Sequence, residues 1–226
     1  MSSICASLAA TILSLAIDDC QQGVSLKSIS ENNNFFYLLF ALVFFLLSGA
    51  LVDQFEVSFA KHLEQAATVV MLAIALFSFR SSRHRVISGV AQLLVVFIIV
   101  SISQFHDHAG LNYVLLLMLL GFFIWTTSMS ARQVLFTGTI DGHKIVGAIC
   151  IYLLLGMIWT LFYLLLAEAL PGAFNGLQQG PWYENFSTLS YYSFVTLTTL
   201  GYGDISPALP ITRFLAYMEA VVGVLY

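Results

Sequence analysis

One apolar run, IVGAICIYLLLGMIWTLFYLLLAEAL from Ile145 to Leu170, sets the terms on which this chain can fold. As a helix it would be about 39 Å long at 1.5 Å per residue, enough to cross a hydrocarbon core about 30 Å thick. Its single charge, Glu168, sits near the outer end, where it reaches water. The rest of the chain follows suit: 59% of residues are hydrophobic and 9% charged, against about 45–50% and 25% in soluble domains. The chain reads as an integral membrane protein.

Other apolar runs cover Phe35–Val52, Val57–Phe79, Val86–Phe105 and Leu111–Ser130, and a last one starts near Ile211 and continues to Tyr226. The second run is the weakest. Its strictly apolar part is Ala66–Phe79, so it leans on the turn carrying Lys61, His62 and Glu64. The pattern predicts an all-α transmembrane fold of six spans. Four helices are expected in residues 35–131, a linker in 132–144, and in 145–226 two further spans with an interrupted segment between them. Residues 1–34 are expected to hold a short amphipathic helix, from the spacing of Ile4, Leu8, Ile12 and Leu15, followed by a polar linker. No Lys or Arg precedes that helix, which argues against a secretory signal.

Lys and Arg are retained on the cytoplasmic side of a membrane. With a cytoplasmic N-terminus, six of the eight basic residues fall inside: Lys27, Arg80, Arg83, Arg85, Arg132 and Lys144, against Lys61 and Arg213 outside. The segment between the last two runs then faces outward. The net charge of -4 and the lack of a basic patch point away from nucleic acid. Cys5, Cys20 and Cys150 have no metal or disulfide spacing and read as small apolar fillers. No nucleophile, base or metal constellation recurs within the spans, so neither an enzyme nor a cofactor is expected.

The segment between the last two spans breaks the apolar pattern. Phe186–Thr198 would make a helix about 20 Å long, which reaches only part way into a bilayer, with Asn185 as its expected N-cap. Its negative C-terminal end would point inward. The following residues, Thr199, Leu200, Gly201, Tyr202 and Gly203, must turn back outward as non-helical backbone at membrane depth. Such backbone is tolerated only inside protein or along a watery path. Gly201 and Gly203 can take positive φ, so carbonyl oxygens can be turned to one side, where they would replace the water around a cation.

The stretch TLTTLGYGD, Thr196–Asp204, resembles the potassium-channel filter signature T-x-T-T-x-G-Y-G-D. The resemblance takes in PGAF, FSTLSYYSFV and ITRFLAYMEAVVGVLY, roughly Ile145 to Tyr226. It implies a potassium channel subunit of prokaryotic type in the plasma membrane, assembled as a homotetramer among membrane lipids, because one chain supplies one strand and a ring needs four. It implies K+ coordination by Thr199, through hydroxyl and carbonyl, and by the carbonyls of Leu200, Gly201 and Tyr202, with Gly203 at the outer mouth. Thr198, Tyr191, Tyr192, Val195 and Asp204 would support the filter, Tyr191 and Tyr192 as an aromatic cuff that receives Tyr202. Gly223 falls at the family's inner-helix hinge, with close helix packing as the competing role. Glu219 is an acid inside a span, expected to touch the pore-helix region.

Two positions depart from the family pattern. Leu200 stands where Val or Ile is frequent. Val195 stands where some members carry a Glu that pairs with the aspartate after the filter, so Asp204 needs another partner, for which a cuff tyrosine hydroxyl is the candidate. No Lys or Arg occurs between Val86 and Ala131, which excludes a voltage sensor built on regularly spaced arginines. Arg80, Arg83 and Arg85 read as membrane anchors, with anionic lipid headgroups as the alternative. His106, Asp107 and His108 read as a solvated loop, and the glycosylation sequon at Asn185 is discounted because it falls at the helix start. Two rival readings remain. One is a potassium-uptake transporter subunit, although this chain has one complete pore loop rather than four degenerate ones. The other is a non-conducting structural or regulatory subunit if the chain ends naturally at Tyr226, since Ile211–Tyr226 is only about 24 Å of helix. The chain is read as part of a longer channel.

Overall fold

A computed structural model describes residues 34–55, 109–135, 142–178 and 180–226. Three long helices come first: α1 (Asn34–Phe55), α2 (Ala109–Leu135) and α3 (Gly142–Ala169). A two-residue strand β1 (Phe174–Asn175) precedes α4 (Trp182–Leu197), and β2 (Ser206–Pro207) precedes α5 (Pro210–Leu225). The expected first, fourth, fifth and sixth spans coincide with α1, α2, α3 and α5. The expected spans Val57–Phe79 and Val86–Phe105, the arginines between them, the His106–His108 loop and the N-terminal segment with Cys5 and Cys20 lie outside the described residues.

Helix α3 is the hub, packing against α1, α2 and α4, while α4 in turn carries α5. Their shared core includes Leu38 and Leu42 of α1, Leu116 and Phe122 of α2, and Leu154 and Leu161 of α3, with Leu189 of α4, all buried. What distinguishes this core from that of a water-soluble bundle is the other side of α1. Phe36, Phe40, Phe44, Leu47 and Leu51 face outward, with Phe40 72% exposed. A helix apolar on both faces suits lipid or the interior of a larger assembly. Two segments, Asn112–Val134 and Gly142–Ala169, are long and apolar enough to cross a bilayer, and the apolar part of α1 is the shorter Phe35–Leu51. Several buried hydroxyls inside these helices return to their own backbone. Ser48 donates to the Phe45 carbonyl at 2.7 Å and Thr160 to the Gly156 carbonyl at 2.8 Å, whereas the buried Thr126 hydroxyl of α2 has no partner among the described residues.

Helix α4 begins earlier than the sequence suggests. Its N-cap is Pro181, with φ -64° and ψ 159° and no side-chain cap. Asn185 is not the cap. It sits a full turn inside the helix, buried, with Nδ2 donating to the Gly180 carbonyl at 3.0 Å. Proline's fixed φ already suits a helix entry, and Glu184 in the first turn complements the positive helix end. The burial of Asn185 also removes it from the surface a sequon would need. Helix α5 starts at Pro210, where the Thr212 hydroxyl accepts from the Leu209 amide at 3.1 Å and closes the first turn.

The loop after α3 is joined to the strand before α5. Phe174 pairs with Pro207 and Asn175 with Ser206 in an antiparallel ladder. Ala208 N donates to the Ala173 carbonyl at 2.9 Å, and that oxygen also takes the Thr212 hydroxyl at 3.1 Å. Helix α4 and the segment after it are therefore bracketed by one pair of contacts.

Candidate functional site

The site is the backbone from Thr198 to Asp204, and its shape follows from where its N–H groups go. Thr198 N donates to the Phe194 carbonyl at 3.0 Å and Thr199 N to the Thr196 carbonyl at 2.9 Å. Leu200 N and Gly201 N then both donate to the Val195 carbonyl, at 2.9 and 3.3 Å. All peptide bonds here are trans. In a trans peptide the N–H of one residue is antiparallel to the C=O of the residue before it. With the N–H groups of Thr199, Leu200 and Gly201 held by α4, the carbonyls of Thr198, Thr199 and Leu200 must point away from it.

The dihedral angles continue the pattern. Thr199 has φ 61°, Gly201 58° and Gly203 82°, and Thr199 is the one non-glycine residue with positive φ among those described. Alternation of left-handed and ordinary φ turns successive carbonyls to a common side, where an ordinary strand would alternate them. Positive φ on a β-branched residue is costly and is held only by surrounding constraints. Here the constraint is the pair of N–H groups on Val195. The segment is exposed in the single chain, with Leu200 at 60% and Tyr202 at 68%.

The expected supporting residues divide into two groups. Thr198 turns its hydroxyl back to the Phe194 carbonyl, at 2.6 Å. Tyr191 and Tyr202 lie parallel, with centroids 6.5 Å apart and planes 8° apart. The Asp204 carboxylate lies close enough to the Tyr191 hydroxyl to interact with it electrostatically. Tyr192 does not join this stack. It turns inward, 6% exposed, against Tyr163 at 5.0 Å and Phe174 at 5.5 Å in edge-on geometry. Neighbouring helix positions point about 100° apart, so two consecutive tyrosines cannot share one face. Val195 is buried, and its carbonyl rather than its side chain holds the segment that follows α4.

Gly223 of α5 lies against the Leu197 carbonyl, so closely that a Cβ would overlap that oxygen. Helix α5 runs unbroken through it, which is the close-packing geometry that glycine permits. The Leu197 carbonyl also accepts the Tyr152 hydroxyl of α3 at 3.2 Å.

Glu219 is fully buried between helices. Its Oε2 accepts from the Tyr163 hydroxyl at 2.5 Å, and its Oε1 is 2.6 Å from the Ser193 hydroxyl on α4. The acid on α5 thus contacts α4 through Ser193 and α3 through Tyr163. Tyr152, Tyr163, Ser193 and Gly156 were not singled out from the sequence. The available signal was polar groups at positions otherwise apolar within helices α3 and α4. Among the described residues no group of three His, Cys, Asp or Glu side chains converges on a metal-binding point.

A membrane-length helix α3, the shorter helix α4 with the non-helical return after it, and α5 packed against both make one helical unit. Residues 147–226, from α3 through the Thr198–Asp204 segment to α5, match the family model described as ion channel. That match spans roughly a third of the chain, and no curated protein and no solved structure matches significantly.

Proposed function

We propose that the chain is the pore subunit of a potassium-selective channel. It conducts dehydrated K+ past the carbonyls of Thr199, Leu200, Gly201 and Tyr202, with the Thr199 hydroxyl at the inner end and Gly203 at the mouth. The observation that carries this reading is the double donation of Leu200 N and Gly201 N to the Val195 carbonyl. It ties the donors of the strand to α4 and leaves its oxygens free to face an ion. The exposed strand supports a homotetramer, since carbonyls at membrane depth need protein or a watery path in front of them. Four copies around an axis would bring four strands face to face.

The subunit would have six spans in the plasma membrane. Its N-terminus would be cytoplasmic and the pore loop outside, in keeping with six of eight basic residues falling on the inner side. The four peripheral helices would not sense voltage through arginines, since the third and fourth spans have none.

The test is ion flux from proteoliposomes containing the full chain. Uptake of K+ should exceed that of Na+, and Gly201→Ala or Gly203→Ala should abolish the preference, because Ala at positive φ costs about 1–2 kcal/mol and reorients the carbonyl. Equal permeability to both ions in the unaltered protein would end this reading.

A further inference from the structure

Three short oxygen contacts meet around Glu219: Tyr163 Oη to Glu219 Oε2 at 2.5 Å, Glu219 Oε1 to Ser193 Oγ at 2.6 Å, and Ser193 Oγ to the Gly156 carbonyl at 2.8 Å. Each separation needs one hydrogen between the two oxygens. Tyr163 and Ser193 have one hydroxyl hydrogen each, and a backbone carbonyl has none. The Thr160 hydroxyl, also on the Gly156 carbonyl at 2.8 Å, uses its own hydrogen for that contact. Three contacts and two hydroxyl hydrogens leave one hydrogen to be supplied, and Glu219 is the group able to carry it. Were Glu219 ionised, Ser193 would have to turn its hydrogen to the carboxylate. Its oxygen would then face the Gly156 carbonyl lone pair to lone pair.

We propose that Glu219 is kept as a neutral carboxylic acid and acts as a positioning residue for the filter. The proton runs Tyr163 to Glu219, Glu219 to Ser193, and Ser193 to the Gly156 carbonyl. One chain of donors thereby ties α5, α4 and α3 together behind the filter segment. Tyr163, Ser193 and Glu219 have 0% exposure, so water does not substitute for a missing member. The titratable groups that face Glu219 are Tyr163 and Tyr152 of α3 and Tyr192 of α4. The link has a second anchor, since Gly156 also receives Phe194 of α4 directly over its Cα. The position of α4, and with it Val195, is set relative to both flanking helices. The filter-positioning part of this inference rests on the channel reading, while the protonation of Glu219 does not.

The experiment uses the full chain in lipid. Infrared spectra at neutral pH should show the carbonyl stretch of a protonated, strongly hydrogen-bonded carboxylic acid, absent in Glu219→Gln. In flux assays Glu219→Gln should stay within about threefold of the unaltered chain. Its amide can donate to Ser193 and accept from Tyr163. Ser193→Ala and Glu219→Ala should lower flux about tenfold or more, as loss of a buried partner predicts. Should Glu219→Ala fail to fold, Ser193→Ala, which changes one atom, carries the comparison. A missing acid band, or a Glu219→Gln chain as impaired as Glu219→Ala, overturns the proposal. A chain with the acid band but no selective flux would overturn the channel reading and leave the neutral Glu219 standing.

Discussion

Gly223 of α5 rests its Cα on the main-chain carbonyl of Leu197, at the end of α4, with no room between them for a methyl group. The oxygen cannot move aside as a side chain would, because it belongs to the main chain of the last residue of α4. Tyr152 holds the same oxygen from the α3 side. Gly223→Ala is therefore expected to push α5 away from α4 and cost about 1–3 kcal/mol of stability, the range for overpacking. Denaturant unfolding in detergent measures it. An unchanged midpoint together with unchanged flux would mean the two helices are not in contact in the membrane.

A similar approach between α3 and α4 has a different outcome, because the obstacle is a side chain. A Cβ on Gly156 would enter the ring of Phe194, at 2.5 Å from Cε1. Gly156→Ala should destabilise by about 1–3 kcal/mol. Phe194→Leu in the same chain should recover part of that loss. The two changes would then be non-additive, as expected for residues in contact. Simple addition of the two effects would rule out this packing.

Tyr202 stacks on Tyr191, and the Asp204 carboxylate lies near the Tyr191 hydroxyl. Tyr191→Phe keeps the stacked ring and removes the hydroxyl that faces Asp204. Asp204→Asn removes the charge. Each should shorten the time over which K+ flux persists, and the double variant should be no worse than the poorer single one. Independent, multiplying effects would show that the two side chains do not meet.

The apolar runs were legible because a bilayer leaves few ways to bury them, and α1, α2, α3 and α5 fall where those runs are. The positive φ of Gly201 and Gly203 was legible for the opposite reason: two glycines so close together in an apolar region make little sense unless the backbone needs their freedom. The start of α4 was not legible. Asn185 has the side chain of a cap, yet Pro181 fixes the entry by its ring and leaves Asn185 to the interior. Nor was the separation of Tyr191 from Tyr192, which depends on how α4 is rotated against α3. The same holds for Val195, whose part is played by a carbonyl that every residue type possesses. The Tyr163, Glu219 and Ser193 cluster needs the rotation of three helices at once, and sequence spacing within one helix does not encode it.

The ladder between Asn175 and Ser206 has a mechanical meaning. It joins residues 31 apart in sequence and closes a ring of chain containing α4 and the segment after it. Closing such a ring costs about 3 kcal/mol of chain entropy. The Thr198–Asp204 segment is thus strung like a cord between two pegs: the α4 carbonyls at its inner end and this two-residue clasp at its outer end. The inner peg has several hydrogen bonds to buried helix, whereas Asn175 on the outer one is exposed. Slackening of the cord is expected to begin at the clasp. Amide exchange at Ser206 and Ala208 should accordingly outrun exchange at Leu200, and the reverse order would place the weak peg at the inner end.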